Sequence, residues 1–151
     1  MNSPSRKDRP EPLPVVAALI LEGGQWLLAQ RPSHKHLGGK WEFPGGKVDP
    51  GETAEHALVR EIREELGCQI ELLLALAPYD FDYGAVHIRL FPHVARLSVS
   101  GPRPVALEHV ALQWLAAEDV ACLDLAPADR PLLAQLPALA IQFSNAEDVR
   151  R

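Results

Sequence analysis

Three glutamates near the middle of the chain are the residues best placed to do chemistry. Glu61, Glu64 and Glu65 stand at positions i, i+3 and i+4, and side chains at these spacings share one face of an α-helix. Like charges this close repel each other, so the cluster is either solvated or neutralised by a cation. Mg²⁺ suits it, because Mg²⁺ binds carboxylate oxygens, waters and substrate phosphates together. Arg60 and Arg63 are the alternative partners of a merely solvated helix face.

The helix that must carry these glutamates is predicted for residues 53–66. Apolar residues recur along it at helical spacing, and Gly67 follows where a left-handed residue commonly ends a helix. The apolar stripe consists of Ala54, Leu58, Ile62 and Leu66. Because this stripe must face a core, we expect the three glutamates to point away from the core.

The remaining elements alternate between strands and helices. Apolar runs at residues 14–21 and 26–30 predict a β-hairpin that turns at Gly23 and Gly24. Further strands are predicted at residues 41–43, 69–77 and 85–98 and around Trp114, a turn or short helix at 117–120, and a final helix at about 128–139. The chain of 151 residues is long enough for one core and too short for two ordinary domains.

The segment around the glutamates resembles the Nudix box. Gly46 is followed after five residues by Glu52, and after seven more by Arg60 and the run EIREELG. Cys68 stands where the family usually has an aliphatic residue, and cysteine is itself a small hydrophobe. The similarity continues through AQRPSHKHLGGKWEFPGGKVDPGE and LAPADRPLL and covers most of residues 14–137. Within the family, the chain is most similar to the MutT-type nucleoside triphosphate pyrophosphohydrolases, in particular to their CTP pyrophosphohydrolase branch.

The resemblance implies an α/β class and the Nudix fold, in which a mixed β-sheet is sandwiched between α-helices. We place this domain at residues 13–140. Residues 1–12 contain prolines and charged residues with little to bury, so we expect a flexible N-terminal segment there. Residues 141–151 are expected to form a polar C-terminal tail.

The resemblance also implies a set of metal ligands. They are the Gly45 carbonyl, the side chains of Glu61, Glu64 and Glu65, and, from outside the box, Glu108. If Glu108 does not serve, Asp80 and Asp82 are the next candidates. The expected ion is Mg²⁺, with Mn²⁺ as the alternative.

Catalysis is expected to depend on Glu52, Arg60, Glu61 and Glu64. Glu61 is our choice of general base, although relatives within the family exchange the roles of base and metal ligand. Glu52 and Arg60 resemble the pair that orients the helix face. The alternative is a surface ion pair that contributes little to stability.

Substrate contacts are implied in the segment before the box. Arg31 and His36 match the family's phosphate and nucleotide contacts, since a guanidinium binds phosphate through its bidentate fork, and Phe43 is a further substrate-binding candidate. Lys35 and Lys40 are the alternatives to Arg31 and His36. The other histidines lack metal-ligand spacing and are expected to be solvated or at the edge of the core; they are His34, His56, His87, His93 and His109.

Asp129, in the segment LAPADRP, is expected to meet the edge of the base. An ionised carboxylate only accepts hydrogen bonds, so it complements the amino group of cytosine and is repelled by the O6 and N7 acceptors of guanine. Oxidised purines also offer donors there. The alternative interpretation is that Asp129 caps the final helix.

The function that the resemblance implies is Mg²⁺-dependent hydrolysis of ribo- or deoxynucleoside triphosphates to the monophosphate and pyrophosphate. Cytidine or oxidised nucleotides are the expected substrates. One alternative is removal of pyrophosphate from RNA 5′ ends. Another is a nucleotide-sensing module without catalysis, but such modules commonly lose box carboxylates, and this chain keeps all four glutamates of the box.

Composition excludes several other classes of protein. The net charge of −5 and the absence of a long Lys/Arg block argue against binding of duplex nucleic acid through its phosphates. The longest apolar runs, at 15–21 and 72–77, are too short to span a membrane. The first residues lack the apolar stretch of a secretory signal, so we expect a cytoplasmic protein in which Cys68 and Cys122 are free thiols.

Overall fold

In the computed structural model, which describes residues 10–148, eight strands pair into one mixed sheet. They are β1 (Leu13–Glu22), β2 (Gln25–Gln30), β3 (Trp41–Glu42), β4 (Gly45–Lys47), β5 (Ile70–Ala75), β6 (Tyr79–Asp82), β7 (His87–Leu97) and β8 (Ala111–Leu115). β1 and β7 run parallel to each other at the centre, and the other pairings are antiparallel. The helices are α1 (Ala54–Leu66), α2 (Ala117–Val120), a 3₁₀ helix (Pro127–Gln135) and α3 (Leu136–Asp148).

The central strand β1 is buried on both faces. Val16, Ala18 and Ile20 belong to a core cluster that includes the apolar stripe of α1. The alternating residues, beginning with Ala17 and Leu19, belong to a second cluster with the C-terminal helices. A strand covered on both sides has a continuous apolar sequence, which is why residues 14–21 alternate so little. The predicted mixed sheet between helices is therefore confirmed.

The predicted central helix is confirmed at both ends. Thr53 caps the start of α1, where its hydroxyl accepts a hydrogen bond from the His56 N–H at 3.1 Å. Gly67 ends the helix with φ +63°, and its N–H donates to the Arg63 carbonyl at 3.0 Å. A residue with a side chain is strained in this left-handed conformation.

Two short strands were not predicted, β4 and β6. The glycines of β4 are typical of a turn, but here they allow a close approach of two elements. A Cβ on Gly45 would overlap the Val16 carbonyl, and a Cβ on Gly46 would lie 2.5 Å from the Glu61 carboxyl carbon. Glycine at both positions therefore lets β4 lie between β1 and the glutamates of α1.

The C-terminal region differs from the single helix predicted at 128–139. Its first part is the 3₁₀ helix, which contains Pro131, and α3 then continues as far as Asp148. Residues 141–148, assigned to a polar tail, are therefore helical.

Most of the predicted flexible segment at 1–12 lies outside the described residues. None of the helices found in residues 10–148 could span a membrane.

Candidate active site

A cleft of about 460 Å³ opens beside α1 and β4. One wall is apolar and consists of Leu13, Val15, Val86, Ile88 and Leu90. Five of the residues predicted to act at the site also line the cleft: Arg31, His36, Gly45, Glu65 and Asp129. A carboxylate and a guanidinium therefore share a cleft with an apolar surface large enough to hold a base, as small-molecule sites commonly do.

Glu65 is buried, contrary to the expectation that the glutamates point away from the core. It is only 9% exposed, and its Oε2 has no hydrogen-bond partner among the described residues. Burial is the main cause that raises its pKa to about 9, with further contributions from the charges of Glu42, Glu61 and Glu108. Glu65 lies two turns along the helix from buried Ala57. Glu65 and Ala57 lie on a row of α1 residues that borders the apolar stripe and faces β4. The four residues of the stripe alone did not indicate that this row is buried.

Glu61 and Glu64 share one guanidinium. Arg60 Nη1 lies 3.0 Å from Glu61 Oε1 and 3.2 Å from Glu64 Oε2. Glu61 is partly buried against Gly46, and this burial raises its pKa although Arg60 opposes the effect. Glu64 is exposed. The three carboxylates therefore differ in environment, from buried to solvated, along one side of α1.

Arg60 and Glu52 form a bidentate ion pair between α1 and the loop before it. Arg60 Nε and Nη2 lie 2.7 and 2.8 Å from the two oxygens of Glu52. Glu52 also accepts the Asp49 N–H at 3.0 Å. The Arg60 hydrogen bond, followed by that of the Asp49 N–H, lowers the pKa of Glu52 to about 2. Arg60 donates in addition to the Lys47 carbonyl at 3.1 Å, so the pair ties β4 and its loop to the glutamate helix.

Glu108 is brought close to these glutamates by a loop that closes the end of α1. The Val105 N–H donates to the Leu66 carbonyl at 2.9 Å, and the Leu107 N–H donates to the Glu65 carbonyl at 3.1 Å. These bonds satisfy carbonyls that a helix end leaves unpaired. Glu108 itself is exposed, and its charge contributes to the raised pKa values of Glu61 and Glu65.

The acidic residues named as the next candidates lie elsewhere. Asp80, on β6, pairs with Arg89 at 2.7 Å and lies 3.7 Å from His87. Asp82 accepts the Gly84 N–H at 2.7 Å in the turn between β6 and β7. Both carboxylates therefore have partners away from α1, which favours Glu108 as the glutamate from outside the box.

The donor set fits a hard cation, although residues 10–148 contain no group of three His, Cys, Asp or Glu side chains already arranged as a metal site. All the acidic groups here present oxygen, the ligand type that Mg²⁺ takes. The orphaned Oε2 of Glu65 supports the fit, because a buried carboxylate without a partner is costly unless it is protonated or neutralised.

Arg31 lies at the cleft in a network that the sequence did not indicate. Its Nε donates to the His36 carbonyl at 2.8 Å, and its Nη1 donates to Glu42 at 3.1 and 3.3 Å. His109 Nε2 lies 2.9 Å from the same Glu42 carboxylate. Only 5% of the His109 side chain is exposed. The sequence signal for this half-buried carboxylate was the position of Glu42 between two aromatic residues, Trp41 and Phe43.

Among the alternative cations, Lys40 is used elsewhere: its Nζ pairs with Asp124 at 2.9 Å. Lys35 is exposed and does not line the cleft. Arg31 and His36 are thus the predicted phosphate contacts that the structure places at the cleft.

His93, expected to be solvated or at the core edge, is buried in β7 at 4% exposure.

Asp129 lines the cleft, is buried, and does not cap a helix. The 3₁₀ helix begins after Ala126 without a side-chain cap, and Asp129 Oδ2 instead accepts the Phe43 N–H at 2.9 Å. Burial, followed by the charge of Glu42, raises the pKa of Asp129 to about 8. The sequence predicts an ionised carboxylate at this position. At neutral pH the buried acid is mostly protonated, so it also offers an O–H donor.

Phe43 contributes its backbone to this arrangement. Its ring is 3% exposed and packs in the core, outside the lining of the cleft, so a contact of Phe43 with substrate stays a prediction. Two tyrosines fix the residue next to Asp129: Tyr79 O–H donates to the Ala128 carbonyl at 2.6 Å, and the Ala128 N–H donates to Tyr83 Oη at 3.0 Å. Asp129 is therefore held in place by the residue that follows β3, by β6, and by the residue that follows β6.

Comparison with known proteins agrees with this geometry. The NUDIX domain model matches residues 11–136. CTP pyrophosphohydrolase of Escherichia coli is 42% identical over 125 residues, which cover 83% of this chain and 91% of the relative. The 8-oxo-dGTP diphosphatase of E. coli is 31% identical over 125 residues, covering 82% and 95% of the two chains.

Similarity to the Nudix family is also found among solved structures. The crystal structure of a MutT NUDIX hydrolase from Burkholderia pseudomallei has a TM-score of 0.68 and 34% sequence identity, covering 83% of this chain and 98% of that one. With its glutamate helix, mixed sheet and cleft, the chain belongs to the Nudix hydrolase family.

Proposed function

We propose that the protein hydrolyses nucleoside triphosphates to the nucleoside monophosphate and pyrophosphate in a reaction that depends on Mg²⁺. The observation that carries the proposal is that one cleft is lined by the buried carboxylate of Glu65, the guanidinium of Arg31 and the carboxyl group of Asp129. These three groups suit a cation, a phosphate and a base edge respectively.

The residues that would hold Mg²⁺ are Glu61, Glu64, Glu65, Glu108 and the carbonyl of Gly45. When bound, the ion would neutralise phosphate charge and lower the pKa of the attacking water. Mn²⁺ would suit the same oxygen ligands. The ion pair of Arg60 with Glu52 would fix the position of α1 relative to β4, so that the carboxylates and the Gly45 carbonyl face the same space.

Glu61 is our proposed general base. Its partial burial raises its pKa, which makes the carboxylate a better proton acceptor. In the proposed step, a water oxygen bonds to the β-phosphorus, its proton passes to Glu61, and the bond from the β-phosphorus to the oxygen bridging to the α-phosphorus breaks. That bridging oxygen leaves with the nucleoside monophosphate, and the water oxygen remains in pyrophosphate.

We expect the wild-type protein to convert CTP to CMP and pyrophosphate. Product analysis by anion-exchange chromatography tests the bond that breaks. Hydrolysis in H₂¹⁸O is expected to place the label in pyrophosphate. Formation of CDP and orthophosphate as the main products would contradict the proposal, and label in CMP would move the attack to the α-phosphorus.

Cytidine nucleotides are the substrates that we propose first, with oxidised purine nucleotides next. The relatives named CTP pyrophosphohydrolase and 8-oxo-dGTP diphosphatase support both classes. In this chain, the apolar wall suits the faces of a base, and the carboxyl group of Asp129 suits its polar edge.

The role of Glu108 can be tested by replacing it with glutamine. Because Glu108 is exposed and would add one oxygen to a site already supplied by α1, we expect Glu108→Gln to lower kcat by only about 10-fold and to raise the Mg²⁺ concentration at half-maximal rate. Asp80→Asn is the matched control and is expected to leave both quantities within about 2-fold, the range of a surface change. Equal behaviour of the two variants would remove Glu108 from the metal site.

A further inference from the structure

Three side chains form a hydrogen-bonded series that ends at the cleft. His109 Nε2 lies 2.9 Å from Glu42 Oε2, and the two oxygens of Glu42 accept from Arg31 Nη1 at 3.1 and 3.3 Å. The exposed fractions of the side chains are 5% for His109, 16% for Glu42 and 26% for Arg31. The series therefore runs from the interior to the cleft, and its last member is the residue proposed to bind phosphate.

Arg31 has two of its nitrogens fixed by the protein. Nε donates to the His36 carbonyl, and Nη1 donates to Glu42. Within residues 10–148, Nη2 has no hydrogen-bond or ion-pair partner, and Arg31 lines the cleft. Because the guanidinium is planar and rigid, fixing Nε and Nη1 also fixes the direction in which Nη2 can donate.

The Glu42 carboxylate contacts His109 on the side away from the cleft and Arg31 at the cleft. A carboxylate at the end of a glutamate side chain rotates over a broad range unless hydrogen bonds restrict it. The ionised carboxylate only accepts, so His109 Nε2 must carry the proton of this bond. His109 is itself anchored on both sides, because the Leu107 N–H donates to the Glu65 carbonyl and the Val110 N–H donates to the Gln30 carbonyl at 2.9 Å.

We propose that His109 is a positioning residue for substrate binding, which holds the Glu42 carboxylate so that Arg31 presents a guanidinium nitrogen to a phosphate of the nucleotide. This inference rests on the proposed function, in which Arg31 binds phosphate. It also gives a reason for the burial of an imidazole next to Glu108: the same loop supplies an oxygen for the metal and, one residue later, the support for the phosphate contact.

The test compares two amides at position 109. A glutamine places its N–H₂ near the position of histidine Nε2, whereas an asparagine is too short to do so. We expect His109→Asn to raise KM for CTP about 10-fold with kcat within about 3-fold of the wild type, and His109→Gln to restore KM to within about 3-fold. If the loop merely lost its structure, Glu108 would be displaced, and kcat and the Mg²⁺ requirement would change instead.

A double-mutant cycle identifies Arg31 as the residue through which His109 acts. In an Arg31→Ala background, His109→Asn is expected to cause no further rise in KM, because the group that it positions is absent. Independent, multiplicative effects on KM would overturn the proposal. So would an unchanged KM in His109→Asn. His93→Asn, which removes another buried imidazole outside the cleft lining, is the control and is expected to leave KM unchanged.

Binding of inorganic pyrophosphate in the presence of Mg²⁺ gives a readout that does not need turnover. Calorimetry is expected to show that the dissociation constant for pyrophosphate is about 10-fold larger in both His109→Asn and Arg31→Ala. For His109→Gln it is expected to be close to that of the wild type. A wild type that cleaves no nucleotide would refute the proposed function alone, because this binding comparison would still decide the role of His109. Equal pyrophosphate affinity in all four proteins would refute the role of His109.

Discussion

Replacing Glu65 by glutamine is expected to lower kcat/KM for CTP by about 10²–10⁴-fold. The change keeps the size of the side chain and removes the buried charge that would meet the cation. Glu64→Gln is expected to have an effect of the same order, since the carboxylates of α1 would act on one ion and fail as a unit. Steady-state rates at saturating Mg²⁺ test both variants.

Glu55→Gln provides the matched control on the same helix. Glu55 lies in the first turn of α1, is exposed, and is 3.7 Å from His93, away from the cleft lining. We expect its rate to stay within about 2-fold of the wild type, as for a surface substitution. Near-native activity of Glu64→Gln or Glu65→Gln in Mg²⁺ would contradict the assignment of the metal site.

Stability measurements on the metal-free protein separate loss of the site from loss of the fold. The pKa of Glu65 is about 9 in the folded protein, against 4.5 as its ordinary value. Between these values the folded state keeps a proton that the unfolded state has lost, so the free energy of unfolding falls as the pH rises. Glu65→Gln lacks this loss and is expected to be more stable than the wild type by about 1–3 kcal/mol near pH 8, with little difference below pH 4.5.

Added Mg²⁺ is expected to reverse the order. Binding to the folded state alone stabilises a protein, and a cation would take the place of the proton on Glu65. Thermal unfolding at pH 8 should therefore show a larger rise in Tm with Mg²⁺ for the wild type than for Glu65→Gln. An equal rise in both proteins would place any bound Mg²⁺ elsewhere.

The sequence was sufficient for the parts of the site that lie within one element. The box glutamates follow each other along α1, and helical periodicity indicated this helix. The cap residues Thr53 and Gly67 are local signals that mark its ends. The stripe of four apolar residues did not show that the neighbouring row of α1, which contains Glu65, is also buried. Burial of Glu65 depends on β4, whose glycines give no periodic signal.

Contacts between distant segments were beyond the reach of sequence patterns. Glu42 and His109 are 67 residues apart, and Phe43 and Asp129 are 86 residues apart. Each residue alone has an ordinary interpretation, as a strand residue or a helix cap. Their roles arise only when β3 is placed between the Glu108 loop and the 3₁₀ helix. The same placement changes the chemistry of Asp129, because burial alters its protonation.

At pH 9, where the wild-type Asp129 is mostly ionised, replacing it by asparagine is expected to shift the preference for CTP over GTP by about 1–3 kcal/mol toward GTP. The reason lies in the Phe43 N–H, which occupies Oδ2 of the wild-type carboxyl group. An asparagine would use its one oxygen for the same bond and present only N–H donors to the base. Such donors suit the O6 and N7 acceptors of guanine and repel the amino group of cytosine. Ratios of kcat/KM from mixtures of the two nucleotides measure the shift, and Mg²⁺ dependence is expected to stay the same.

The wild-type preference is further expected to depend on pH, whereas that of Asp129→Asn is not. Below its pKa of about 8, Asp129 keeps its proton and offers a donor; above it, the free oxygen only accepts and suits the cytosine amino group. The ratio of kcat/KM for CTP to that for GTP is therefore expected to rise about tenfold from pH 6.5 to 8.5. Effects of pH on the metal site and on the attacking water are common to both substrates and cancel in the ratio. A ratio that is flat with pH in the wild type and unchanged in Asp129→Asn would show that Asp129 serves only to hold β3 against the 3₁₀ helix.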